Sequence, residues 1–476
     1  MSATTTAVRP LFIAGEWVPT EDVLAVRAPY SGEVIASVNS AGHAEAKRAV
    51  DAAAAAMREP LPPWRRAELL EAIALGIDAR RDEFAELICA EAGKPIKAAR
   101  LEATRAANVY RLSAAEARTL TGSGVPLGAT ATGVGHTAYT IRVPIGVVGA
   151  ISPFNFPLNL VAHKLGPALA AGCAVVLKPA EKTPLTPLTL AEVYEQAGLP
   201  AGWLSIICGQ PAEIGDVLID DDRVAMISFT GSDRVGWSIA SRAPRKKVAL
   251  ELGNMSPLIV AGDADLELAA AKVATHAFGY AGQTCVSVQR VYVQAPVLDE
   301  FLRLLGPKVN RLTVGDPADE SVDVGPLIDP DARQRVADWI AEAVAGGATQ
   351  LCGGTTEDGM LRPTVLLNVA PGAQVACREV FGPVCVIASF DAIDDAFAEA
   401  NATGFGLQAS IFTGSISTGL RATRELDFGS VMINEAPEWR ADEIPYGGVK
   451  GSGNTKEGPG ATVREMTRER LVVIAG

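Results

Sequence analysis

IGVVGAIS (145–152) opens a series of short apolar runs that continues with AVVLKPA (174–180), LSIICG (204–209), VAMISFTG (224–231) and KKVALELG (246–253). Each run is followed by a turn signal and then by a stretch at helical spacing. That alternation predicts βαβ units, and strands apolar along their whole length suit a parallel sheet covered on both faces. Upstream, from about Ala44 to Ala117, the chain is rich in Ala, Leu, Glu and Arg with apolar residues at helical spacing, as in RRAELLEAIALGIDARRDEFAELICAEAG (65–93). These are long helices. TGSGVPLGATATGVGHTAYTIRV (121–143) alternates small, polar and β-branched residues and reads as an extended hairpin arm. A second α/β set follows Pro257, and LVVI (471–474) reads as a closing strand.

Composition sets outer limits. A chain of 476 residues exceeds what one hydrophobic core usually supports, so more than one domain is expected. With 48% apolar and 20% charged residues it matches a folded α/β protein. A net charge of −13 argues against a sequence-independent nucleic-acid role, which requires a basic footprint. The start shows no basic region ahead of an apolar one, and the stretch 143–163 is broken by Pro144, Pro153 and Pro157, so neither a secretory signal nor a membrane span is expected. The seven cysteines are odd in number and include no CxxC pair, which suits a reducing, cytoplasmic setting. The four histidines lack ligand spacing, and no metal site is expected. GxGxxG, GxxxxGK[ST] and GxSxG are all absent.

The chemistry-bearing residues collect where the strands end, the edge at which open α/β sheets bind ligands. PFNFP (153–157) holds Asn155 between two prolines; taken alone it reads as a turn asparagine. Lys178 and Glu181 lie just past AVVL, where a solvated loop is the plain alternative. In SFTGSDRVG (228–236), Gly231 and Gly236 flank Ser232 at a helix start, which could hold a phosphate or be an ordinary N-cap. Glu251 ends an apolar run, where a carboxylate is costly unless paired or neutral, and so is a candidate base. In GQTC (282–285), Cys285 is an unusual core filler.

PFNFP, KPAEKTP (178–184), FTGSDRVG, LELGN (250–254), GQTC, EVFGPV (379–384) and PYGGVKGSG (445–453) occur in the order and approximate spacing of the NAD(P)-dependent aldehyde dehydrogenase superfamily. The chain resembles that family over nearly its whole length. The resemblance implies a Rossmann-like cofactor domain (1–120 and 142–252), an α/β catalytic domain (253–455) and a β-hairpin oligomerisation arm (121–141 with 456–476), assembled as a homodimer or homotetramer. It implies that Cys285 is the nucleophile, that Asn155 donates to the oxyanion and that Glu251 is the base that hydrolyses the thioester, giving a free acid. It places Ile151 and Phe154 near the nicotinamide half of NAD and Glu379 with Phe381 on the nicotinamide-ribose side, and it includes Ser152 and Leu252 among the cofactor contacts. Lys178 and Glu181 fall at the adenosine ribose, and Gly231, Ser232 and Gly236 at the pyrophosphate. Glu181 would repel a 2′-phosphate, so NAD is expected over NADP. One departure is Asn254, where the family usually has glycine; a positive φ is expected there. Arg118, Trp439 and Arg440 are candidate substrate contacts that could clamp a small anionic aldehyde. The alternatives are an acyl-transferring or phosphorylated-aldehyde variant, or a silent binding relative.

Overall fold

The computed structural model describes residues 8–356 and 358–476. The five apolar runs form five parallel strands: β1 (Val147–Ile151), β2 (Val175–Lys178), β3 (Leu204–Ile206), β4 (Val224–Thr230) and β5 (Lys247–Glu251). Their order across the sheet is β5-β4-β1-β2-β3, and an antiparallel hairpin (Leu11–Ile13, Glu16–Val18) extends the far edge. The direction of winding reverses between β1 and β4. In an open parallel sheet the crevice lies at such a switch point, outside the carboxyl ends of the strands. The turns after β1 and β4 are PFNFP and GSD, so the topology alone brings Asn155 and Ser232 to one crevice.

The second sheet comprises β6 (Ser256–Val260), β7 (Val288–Gln294), β8 (Thr349–Cys352), β9 (Thr364–Leu367), β10 (Val384–Phe390), β11 (Gln408–Phe412) and β12 (Ser430–Ile433), in the order β8-β9-β10-β7-β6-β11-β12. It is parallel except for β8. Each sheet has its own apolar core, and the chain passes from one to the other between β5 and β6. The long helices Pro63–Ala79 and Ile96–Thr119 pack together, and the second lies against Asn159–Ala171, a helix buried at every position. No helix among the described residues is long and apolar enough to cross a membrane.

The arm is a three-stranded antiparallel sheet of Gly124–Val125, His136–Pro144 and Thr467–Ala475. Between its first two strands the chain makes two 3₁₀ turns rather than continuing as a hairpin. At Asn254 the structure corrects the expected left-handed turn, because this residue does not have a positive φ. Its buried amide donates to Ser256 Oγ (2.8 Å) and Gln408 O (3.2 Å) and accepts from Leu407 N (3.3 Å). Side-chain bonds to β11 hold the turn, so no left-handed backbone is needed.

Candidate active site

A cleft of about 770 Å³ opens at the switch point, within the ~300–1,000 Å³ usual for small-molecule sites. Its wall includes Ile151, Ser152, Phe154, Asn155, Lys178, Glu181, Gly231, Ser232, Glu251, Leu252, Cys285, Glu379 and Phe381. The three candidate catalytic residues and ten of the eleven candidate cofactor residues therefore share one cavity. Gly236 does not line it: a Cβ there would run into Leu252, so the glycine lets the helix Asp233–Arg242 press against that side chain. Arg234 and Arg242 also line the cleft from this helix, as does Asp216 from the helix Pro211–Asp220. Nothing in the sequence marks these three, because charges on an amphipathic helix look like a solvated face.

Cys285 ends a loop under backbone strain. Tyr280 (φ 50°), Ala281 (φ 53°) and Gly282 (φ 68°) are consecutive left-handed residues, an arrangement that surrounding contacts must enforce. Glycine is required at 282, where a Cβ would strike the carbonyl of Gly382. Gln283 anchors the loop: its side chain accepts from Ile328 N (2.9 Å) and donates to Pro326 O (3.3 Å), while its carbonyl accepts from Asn155 Nδ2 (2.8 Å). The Asn155 amide is thus held by a carbonyl two residues before Cys285 and keeps its second N–H. The Cys285 Sγ sits 2.8 Å from the Tyr446 hydroxyl. Burial pushes the thiol up to about 12; the Tyr446 contact pulls it down, and the Glu379 and Glu251 carboxylates push it further up.

Glu251 is buried, and neither carboxylate oxygen has a hydrogen-bond partner. Burial, then the neighbouring Glu457 charge, drives it well above the usual carboxylate range; Arg440, Lys164 and Lys456 oppose the rise. Glu457 is equally buried, yet it stays below that range because Arg440, then His163 and Lys164, outweigh the cost of burial. Two neighbouring carboxylates with opposite shifts are what acid–base chemistry requires. A small cavity of about 10 Å³ behind Glu251, lined by Lys164, Lys456 and Glu457, has room for about one water. Glu379, raised to about 7 by burial, accepts the backbone N–H of Asn254 (2.9 Å), and Phe154 and Phe381 meet edge to face at 5.8 Å.

The candidate substrate residues do not come together as expected. Arg118 lies in the last turn of its helix, half-exposed and ion-paired with Glu71 (2.7 Å), so it cannot join Arg440. Arg105 of the same helix reaches the loop of Arg440 instead, donating to Asp442 Oδ1 from Nε (3.0 Å) and Nη2 (2.8 Å). The side chain of Arg440 is 9% exposed: it donates to Glu457 Oε1 (2.9 Å), lies 3.3 Å from His163 Nε2 and stacks 4.0 Å over the Tyr446 ring, leaving Nε without a partner. Trp439 is half-exposed on the same loop.

The chain matches the aldehyde dehydrogenase family over residues 17–472. It is 44% identical over 464 residues to 3-sulfolactaldehyde dehydrogenase of Priestia megaterium, covering 98% of this chain and 97% of the relative. Aldehyde dehydrogenase 21 from Physcomitrella patens, solved with its reaction product succinate, superposes with a TM-score of 0.95 at 35% identity, over 99% of each chain. An NADP-dependent glyceraldehyde-3-phosphate dehydrogenase from Bacillus halodurans, solved with NADP, gives 0.96 at 36% identity, over 99% of this chain and 100% of that one. Fold, cleft and the loop bearing Cys285 thus agree with a match that runs from the first strands to the arm, and the chain belongs to the aldehyde dehydrogenase family.

Proposed function

We propose that this enzyme oxidises a small anionic aldehyde to its carboxylate, with Cys285 as nucleophile, Asn155 as oxyanion donor and Glu251 as base. The observation that carries the reading is the shared cleft: thiol, amide and an unpartnered buried carboxylate meet at the switch point of the first sheet. Residues 1–120 and 142–252 would hold the dinucleotide and 253–455 would supply the cysteine. The cleft fits that cofactor in size, in its Lys178 and Glu181 pair, and in the helix start at Ser232, where free backbone N–H groups suit a pyrophosphate. When bound, the nicotinamide supplies the hydride acceptor.

The chain's own residues account for the rest. Cys285 Sγ adds to the aldehyde carbon, and the thiol proton is lost toward Glu251 or solvent. The resulting oxyanion is met by Asn155 Nδ2 and the backbone N–H of Cys285. Loss of hydride leaves a thioester on Cys285. Glu251 then takes a proton from water as its oxygen attacks the acyl carbon, the C–S bond breaks, and the thiolate leaves. A base with a raised pKa is better matched to that task near neutral pH. The small cavity toward Lys164 and Glu457 provides a way out for the proton.

Two features support an anionic substrate. The names of the relatives above carry a sulfonate, a carboxylate or a phosphate, and Arg105, His163 and Arg440 lie outside the dinucleotide cleft in one network, with Arg440 stacked on Tyr446, whose hydroxyl meets Cys285. NAD is the preferred dinucleotide in this reading, on the strength of Glu181. The exposed apolar strand Leu471, Val473 and Ile474 supports a homo-oligomer. The test is aldehyde-dependent NADH formation: the parent enzyme should turn over, and Cys285→Ala should lose about 10⁴-fold or more while still binding NAD. Comparable turnover by the alanine variant would remove Cys285 from the mechanism.

A further inference from the structure

Lys94 is 1% exposed and Glu102 2%, and neither belongs to the catalytic cleft. The two are ion-paired, and each reaches a different part of the active site. Glu102 Oε1 accepts the backbone N–H groups of Leu158 (3.0 Å) and Asn159 (3.1 Å), capping the helix Asn159–Ala171 just after PFNFP. The Lys94 ammonium lies 3.5 Å from the centre of the Phe156 ring and 4.6 Å from that of Tyr280. Phe156 neighbours Asn155, and Tyr280 is the first of the three left-handed residues ahead of Cys285. The two rings meet edge to face at 6.4 Å, and the Tyr280 hydroxyl donates to Ala92 O (2.9 Å), two residues before Lys94.

Burying such a pair is costly, and well-packed apolar side chains would often serve stability as well. A lysine held by two ring faces and a carboxylate does what an apolar filler cannot: it ties the Asn155 loop to the Cys285 loop through one charged centre. We propose that Lys94 and Glu102 are positioning residues that set the spacing between the oxyanion-donating amide and the nucleophile. This rests on the reading of Cys285 and Asn155 given above. Neither side chain touches the reacting atoms; the pair acts by keeping a strained loop in register with a capped helix.

The test uses the full-length enzyme with Lys94→Met, Glu102→Gln and the double variant, in which no buried charge is left unpaired. Four quantities are measured: the pre-steady-state NADH burst rate, the NAD dissociation constant, the KM for the aldehyde and the melting temperature. A displacement of about 1 Å at such a site costs on the order of a hundredfold. The double variant should therefore lose about tenfold or more in burst rate, while NAD affinity and KM stay within about threefold. Lys94→Arg, which can also stack on both rings, should recover part of the loss. A burst rate within threefold of the parent in a folded double variant would overturn the proposal. So would loss of cooperative melting in every variant, which would make the pair a requirement of the fold. Failure of the site reading is seen separately, as a burst in the parent that survives Cys285→Ala.

Discussion

On the dinucleotide side of Cys285 the wall is made of strand ends, turns and the faces of two helices, and several of its polar atoms have no partner: both oxygens of Glu251 and Ser152 Oγ are buried and unsatisfied. On the other side, Arg105, Asp442, His163, Arg440, Glu457 and Lys164 are largely satisfied by one another, with only Arg440 Nε and His163 Nδ1 left over. Unsatisfied buried groups carry a penalty that a ligand can relieve. The first wall is thus prepared for occupants that arrive from outside, whereas the second adjusts, through Glu457, Arg440 and Lys164, the rise that burial imposes on Glu251. Glu251 belongs to both, being orphaned toward the cleft and charge-coupled toward the network.

Breaking that link should give the largest effect. Glu251→Gln keeps the side-chain volume and removes the base, so it should release about one NADH per active subunit and then stall at the thioester, with steady-state turnover down about 10²- to 10⁴-fold. Undiminished turnover would exclude Glu251 from hydrolysis. The pH dependence sharpens the same point. A base must be ionised to act, so with a raised pKa the hydrolysis rate should climb as pH rises through that value. Glu457→Gln removes the neighbouring negative charge that helps hold Glu251 up. The rise should then move to lower pH; a shift to higher pH would reverse the assigned coupling.

The second comparison is between two arginines of the network. Arg440→Ala would leave the buried Glu457 without its hydrogen-bonded cation and with Lys164 alone at 3.9 Å, so anionic and neutral aldehydes should both suffer. Arg105 is partly exposed and paired with Asp442, and if it contributes to anion recognition its loss should be selective for charge. Arg105→Ala should therefore cost an anionic aldehyde roughly thirtyfold in kcat/KM and spare a neutral one of similar size. Equal losses from Arg105→Ala would return its role to holding the loop. A selective loss from Arg440→Ala would restore the clamp expected there.

The two walls also differ in what their sequence discloses. Strand ends followed by Pro, Gly and Asn announce themselves, and the alternation of apolar runs and turns is enough to put PFNFP and LELGN on one edge, whereas GQTC precedes a strand of the second sheet and its place in the cleft does not follow from that alternation. Glu251 is legible because a carboxylate at the end of an apolar run is anomalous. Lys94, Glu102, Lys164 and Glu457 are not, since charged residues are read as surface unless something marks them as buried. Arg118 shows the limit of placing a residue on a helix without knowing which face is covered. It lies about 20 Å along the axis from Arg105 and well around the cylinder, so the neighbourhood expected for one belongs to the other. Asn254 shows a different limit, because one turn can be held by backbone conformation or by side-chain hydrogen bonds, and one residue name suits both.

The smallest expected effect concerns which dinucleotide the first wall prefers. Glu181 lines the cleft with its side chain about one-third exposed, ion-paired with Lys178, which is buried and also donates to Pro179 O (3.2 Å). On the reading proposed above, a carboxylate here would accept hydrogen bonds from ribose hydroxyls and repel a 2′-phosphate, and Lys178 would attract that phosphate only by giving up its partner. Arg234 and Arg242 line the same cleft from the helix Asp233–Arg242 and would favour such a phosphate, Arg242 being already paired with Asp216 (2.8 Å). Solvent and salt screen interactions at such a half-open position, so one charge changes the balance by no more than about 1 kcal/mol, roughly fivefold. Glu181→Ala should accordingly lower the ratio of kcat/KM for NAD over NADP by about fivefold at low ionic strength, and by less in high salt. The parent enzyme should favour NAD. A parent that favours NADP, or a ratio that Glu181→Ala leaves unchanged, would show that the facing arginines set the preference and that Glu181 serves to hold Lys178.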